Sequence, residues 1–94
     1  MKVLRLKRLV GVFAEDKDKA REIRIKKITP MIENKKEIVL DFSGVEAATQ
    51  SFVHTLISEV LREYGPGALD LISFKNCNQN IKKVINIVVE YMQA

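Results

Sequence analysis

No tryptophan occurs in this chain of 94 residues, and cysteine and histidine occur once each, at Cys77 and His54. A lone thiol excludes an internal disulfide. With no second Cys or His at ligand spacing, a thiolate or imidazole metal site is excluded too, a pattern that suits a reducing compartment. No apolar run reaches the about 18 residues that a membrane-spanning helix needs. The opening MKVLRLKRLV is too interrupted by charge to be the apolar core of a signal peptide, so a cytoplasmic protein without membrane attachment is expected. Phosphate-binding glycine patterns are also missing: there is no G-x-x-x-x-G-K-[ST] and no G-x-G-x-x-G, because Gly65 and Gly67 follow a helix rather than open one. No nucleotide or other cofactor is expected.

What is present suits one small α/β domain over residues 1–94. The chain is 47% hydrophobic, enough for a single core at this length. Its net charge of +4 is unevenly spread: residues 1–36 hold twelve Lys or Arg against five Asp or Glu, hence +7, and residues 37–94 hold four against seven, hence −3. A basic front half attracts nucleic acid or an acidic protein, but a solvated helix face has the same composition.

Residues 2–7, KVLRLK, alternate as a half-buried strand does, with Leu4 and Leu6 on one side. Around Gly11 the apolar residues have no clean period and fit a strand extension, a bulge or the approach to a helix. From about Asp16 to Asn34 the period becomes helical, and at 100° per residue Ala20, Ile25, Ile28, Met31 and Ile32 share a core-facing stripe that leaves Ile23 outside. Pro30 predicts a kink or an early break. Ile38 to Phe42 reads as a central strand covered on both faces. Beyond the loop SGVEAA, a second helix starts near Thr49 to Ser51 and stops at Gly65-Pro66-Gly67. Ala68 to Phe74 reads as a third strand. A last helix from about Ile81 to Met92, with an Asn before it as a cap candidate, has an apolar arc wide enough to predict full packing or a second subunit.

The resulting β-α-β-α-β-α order predicts a mostly parallel sheet of three to four strands with three helices packed on it. Ligands and partners of such sheets gather at the carboxyl ends of the strands, which is where the loop from Ser43 to Gln50 emerges. Catalytic groupings are scarce. On the second helix His54 falls opposite the stripe of Leu56 to Leu61, a place for a solvated side chain, and nothing marks an oxyanion hole. Ser51 is of more interest, because a helix start tolerates an added phosphate. Either Thr49 or Ser51 equally fits the role of an ordinary helix cap.

The run IVLDFSGVEAATQSFVHTL, followed by a helix and the strand DLISF, resembles the STAS fold of sulphate transporter tails and bacterial anti-sigma-factor antagonists. It is most similar to STAS-like domains with a DFxGV…SF pattern, matched here by Asp41-Phe42, Gly44-Val45 and Ser51-Phe52. In the antagonists, the loop after the central strand carries Asp-Ser-Ser/Thr-Gly, whose second hydroxyl a partner serine kinase phosphorylates to release the complex. The resemblance carries that hydroxyl to Ser51. Thr49, Gln50 and Phe52 stand where the antagonists have Asp, Ser and Gly.

The resemblance implies a non-enzymatic regulatory module for signalling and transcription control. Its protein-binding residues would be Asp41, Ser43, Gly44, Thr49, Gln50, Ser51, Phe52 and His54, with phosphorylation at Ser51 as the switch. The implied partner is an ATPase or serine kinase of the histidine-kinase-like type. The alternative from composition is a nucleic-acid-associated regulator using the basic N-terminal segment. Absence of aromatic-basic interleaving speaks against that alternative, and a homodimer through the last helix is a third expectation.

Overall fold

In the computed structural model, residues 1–93 are described. Three parallel strands form the main sheet in the order β1 (Lys2–Arg5), β3 (Ile38–Asp41), β5 (Ile72–Lys75), with β3 in the middle. Ile38, Val39 and Leu40 are all buried, as the unbroken apolar run predicts for a strand covered on both faces. A second, two-stranded sheet pairs β2 (Phe13–Ala14) in parallel with β4 (Ala47–Ala48). The expected loop from Ser43 to Gln50 is therefore in part a strand, fastened to the N-terminal segment: Glu46 N–H donates to the Val12 carbonyl at 2.8 Å and Thr49 N–H to that of Ala14 at 3.0 Å.

The expected strand over residues 2–7 stops at Arg5, and a one-turn helix, α1 (Leu6–Val10), takes over until Gly11, whose φ of 78° ends it. Leu4 and Leu6 are both buried, so the alternation identified the core side even though the second of them is helical.

The first long crossover is helical throughout but not one α-helix. It runs as α2 (Lys17–Ile23), a π-turn over Arg24–Ile28, and α3 (Thr29–Glu33). This corrects two expectations. Ile23 is buried, and Ile25 is 50% exposed. In an i→i+5 turn each residue advances by less than the α-helical 100°. The rotation lost there turns Ile25 outwards and brings Ile28 and Ile32 into line with Ala20 and Ile23. The interruption expected at Pro30 takes this form: the π-turn occupies Arg24–Ile28, directly ahead of the proline, and helical backbone continues through it into α3.

α4 (Gln50–Tyr64) packs its Phe52, Val53, Leu56, Ile57, Val60 and Leu61 into the core against α2 and the last helix. The third strand begins at Ile72 rather than Ala68. Residues Pro66–Leu71 form a 3₁₀ turn, since Pro66 presets a helical φ after Gly65 has reversed the chain. α5 (Gln79–Gln93) buries Ile81, Ile85 and Val88. Its start is capped by Asn78, whose Oδ1 accepts from Ile81 N–H at 2.9 Å while its Nδ2 donates to the Glu46 carbonyl at 2.8 Å. One asparagine thus ties α5 to the segment leading into α4. The fold is a small α/β domain with parallel strands throughout. The five α-helices among the described residues exceed the expected three because of α1 and the divided crossover.

No helix among the described residues is long and apolar enough to cross a membrane.

Candidate functional site

The candidate residues begin where β3 ends. Asp41 closes the strand, and its Oδ1 accepts from the Ser43 N–H at 2.8 Å and from Asn76 Nδ2 at 2.9 Å. Those two donors, the Asn76 amide foremost, hold its carboxyl below the ordinary aspartate range, with a smaller contribution from the charge of Arg5. The chain then turns over Phe42–Val45, with Val45 N–H donating to the Phe42 carbonyl at 2.9 Å. Gly44 supplies the positive φ of 82° at the third position of that turn. A Cβ there would also lie 2.6 Å from Lys7 Cδ, because the lysine stem rests on the glycine.

Eight residues after Asp41, Thr49 caps α4: its Oγ1 accepts from the Phe52 N–H at 3.0 Å. This resolves the choice between Thr49 and Ser51. Ser51 lies inside the first turn, is exposed, and its hydroxyl enters no hydrogen bond among the described residues. The helix start is complete without its hydroxyl.

Beside it, Phe52 is 0% exposed. The expectation that Phe52 contacts a partner is corrected: the ring is a core anchor, and its position next to Ser51 fixes the serine outwards by helical geometry. His54, three residues after Ser51 and so on the same side of the helix, was expected to be solvated. It is half-buried instead, with its ring edge-to-face against Tyr91 of α5 at a centroid distance of 6.5 Å and an interplanar angle of 63°.

Gln50, Ser51 and His54 line one groove of about 290 Å³ together with Ile87, Val88 and Tyr91 of α5. Ile87 is 48% and Tyr91 73% exposed. Sequence reasoning did not place these α5 residues in the site. The available signal was the over-wide apolar arc of the last helix, which shows where apolar surface is left over but not what it faces. Asp41 and Ser43 line a different cleft, of about 300 Å³, with Arg5, Lys7 and Arg8. The expected single surface from Asp41 to His54 is therefore divided in two, because β4 and the Thr49 cap stand between the turn and the helix face.

Nothing in the α4–α5 groove forms a catalytic set. The His54 ring enters no hydrogen bond among the described residues, and no acidic residue lines the groove. Cys77 is half-buried near the carboxyl end of β5, and burial pushes its thiol pKa up, which disfavours the reactive thiolate. Among the described residues no group of His, Cys, Asp and Glu could hold a metal ion.

Neither the curated proteins nor the solved structures yield a match to the chain. The family model described as a STAS-like domain of unknown function (DUF4325) matches residues 19–82. That span runs from α2 through the central strand, the Gly44 turn and α4 into the start of α5. With more than half of its length matched, and with an α/β fold of parallel strands consistent with it, the chain belongs to this STAS-like family.

Proposed function

We propose that the chain is a non-enzymatic regulatory module that docks a protein through the groove between the start of α4 and the outer face of α5. Phosphorylation of Ser51 is the proposed switch. The observation that carries this reading is the composition of the groove: a hydroxyl with no structural duty sits beside Ile87 and Tyr91, two large apolar side chains that the domain itself leaves uncovered.

Physical chemistry supports both halves of the reading. Docked against a partner, an apolar floor with Tyr91 and His54 supplies the aromatic anchors on which protein interfaces concentrate their binding energy. A phosphate on Ser51 would meet the positive end of a fifteen-residue helix, so the domain would tolerate it. The same phosphate would bring about −1.5 to −2 charges into a surface that a partner desolvates, which opposes docking. The implied partner is the kinase that modifies Ser51, an ATPase of the histidine-kinase-like type. The basic residues do not form one nucleic-acid track: Arg5, Lys7 and Arg8 share the cleft at the strand ends, while Arg21 and Lys26 line another groove with Asp18 and Glu22.

Affinity capture from native cell extract tests the surface. Wild-type chain should retain a partner that Ile87→Glu loses, with both baits equally folded by circular dichroism. A partner retained equally by the two would place docking elsewhere.

A further inference from the structure

The cleft at the carboxyl ends of β1 and β3 has no part in that proposal, and its chemistry is of a different kind. Its lining consists of Arg5, Lys7, Arg8, Asp41 and Ser43 around a volume of about 300 Å³. Three cations against one carboxylate leave a local excess of two positive charges. The ion pairs among the described residues, Lys26 with Glu22 and Arg62 with Glu59, lie elsewhere, so none of the three cations is neutralised by direct pairing. Asp41 already has Oδ1 engaged by two donors, the Ser43 N–H and the Asn76 amide.

Two of the cations have defined places at the edge of the cleft. Arg5 is in register with Asp41 across the sheet. Lys7 lies along the Ser43–Gly44 turn, with its Nζ 3.3 Å from where a Gly44 Cβ would be, a path open only because residue 44 has no side chain. The lysine stem thus rests on backbone while the ammonium stays at the cleft. Parallel α/β sheets bind ligands at the carboxyl ends of their strands, and this cleft occupies that edge.

We infer that this cleft binds a single phosphate monoester group. A phosphate monoester carries about −1.5 to −2 charges at neutral pH, which matches the excess of two. Its oxygens accept from guanidinium forks and an ammonium, with the Ser43 hydroxyl as a further donor. The clustering of all three cations on consecutive elements at one edge of the sheet fits one phosphate rather than the row of phosphates on a nucleic-acid strand.

Amide-resolved NMR of the isotope-labelled full chain tests the inference. Three probes are titrated separately at constant ionic strength: inorganic phosphate, phosphoserine and ribose 5-phosphate. Saturable shifts are expected at Ser43 and Gly44, and the tightest probe identifies whether the group arrives free, on a peptide or on a sugar. Lys7→Gln should weaken binding about tenfold, as loss of one charge-assisted hydrogen bond implies, while Lys36→Gln, outside the cleft, should leave it unchanged. Ser51→Ala should also bind normally, which separates this site from the proposed switch. Shifts that chloride reproduces, no saturation with any probe, or equal affinity in a folded Lys7→Gln variant would each overturn the site.

Discussion

Of two hydroxyls two residues apart, Thr49 caps α4 and Ser51 does not, and the difference is measurable. Thr49 Oγ1 satisfies an N–H that the first turn of α4 would otherwise leave to water. Thr49→Ala should therefore destabilise the fold by about 1 kcal/mol, whereas Ser51→Ala should change stability by no more than about 0.5 kcal/mol. Urea denaturation of the two variants distinguishes them, and equal losses would mean that Ser51 shares the capping. Asp41 makes a prediction of the same scale. Its folded-state carboxyl is held below the usual value of 3.8 by the Asn76 amide, then by the Ser43 N–H. A depressed acid pKa stabilises the fold above the unfolded value, and that contribution is lost as pH falls through the lower, folded one. Asn76→Gly keeps the backbone at ease, since Asn76 sits at a φ of 58°. In that variant the Asp41 carboxyl, followed by NMR, should titrate at higher pH, and the fold should depend less on pH in the window below 3.8.

Among the elements, the divided crossover from Lys17 to Glu33 shows most clearly what periodicity reveals and what it hides. Counting at 100° per residue correctly identified a helix with a buried side, and Ala20, Ile28 and Ile32 are indeed core. It misassigned Ile23 and Ile25 because the π-turn at Arg24–Ile28 changes the phase midway, and Pro30 announces an interruption without its effect on phase. The consequence is a reversal of rank: Ile23→Ala should cost about 2–5 kcal/mol, and Ile25→Ala no more than about 0.5 kcal/mol. Thermal or urea unfolding of the pair decides between the phased helix and a straight one, in which Ile25 would be the costly position. In α5, Ile81, Ile85 and Val88 are buried. Val84, Val89 and Met92 are partly buried against the core, while Ile87 and Tyr91 are on the surface.

Across the whole molecule, strand-helix alternation was legible because each parallel strand needs a long return path, and only helices fill it economically. The central position of Ile38–Asp41 was legible for the same reason, as a strand buried on both faces shows no alternation. The site was legible only in part. Ser51 could be placed at a helix start from the chain alone, but its neighbours across the groove, Ile87 and Tyr91, are more than thirty residues away and meet it only through the packing of α5 on α4. Short β4 was illegible altogether: Ala47 and Ala48 have little strand preference of their own and pair because Phe13 and Ala14 lie alongside. That pairing divides one expected recognition loop into an apolar groove and a basic cleft.

The proposed switch requires that Ser51 govern what the groove can hold. The most direct measurement compares partner recovery from native cell extract on wild type, Ser51→Ala and Ser51→Asp, quantified by mass spectrometry that also reads the phosphorylation state of Ser51. Wild type and Ser51→Ala are predicted to capture the same partner, and Ser51→Asp to lose it while remaining as stable as wild type. Equal recovery on all three baits, with no phosphate found on Ser51 in the native chain, would contradict the account and leave Ser51 as an exposed residue of the first helical turn.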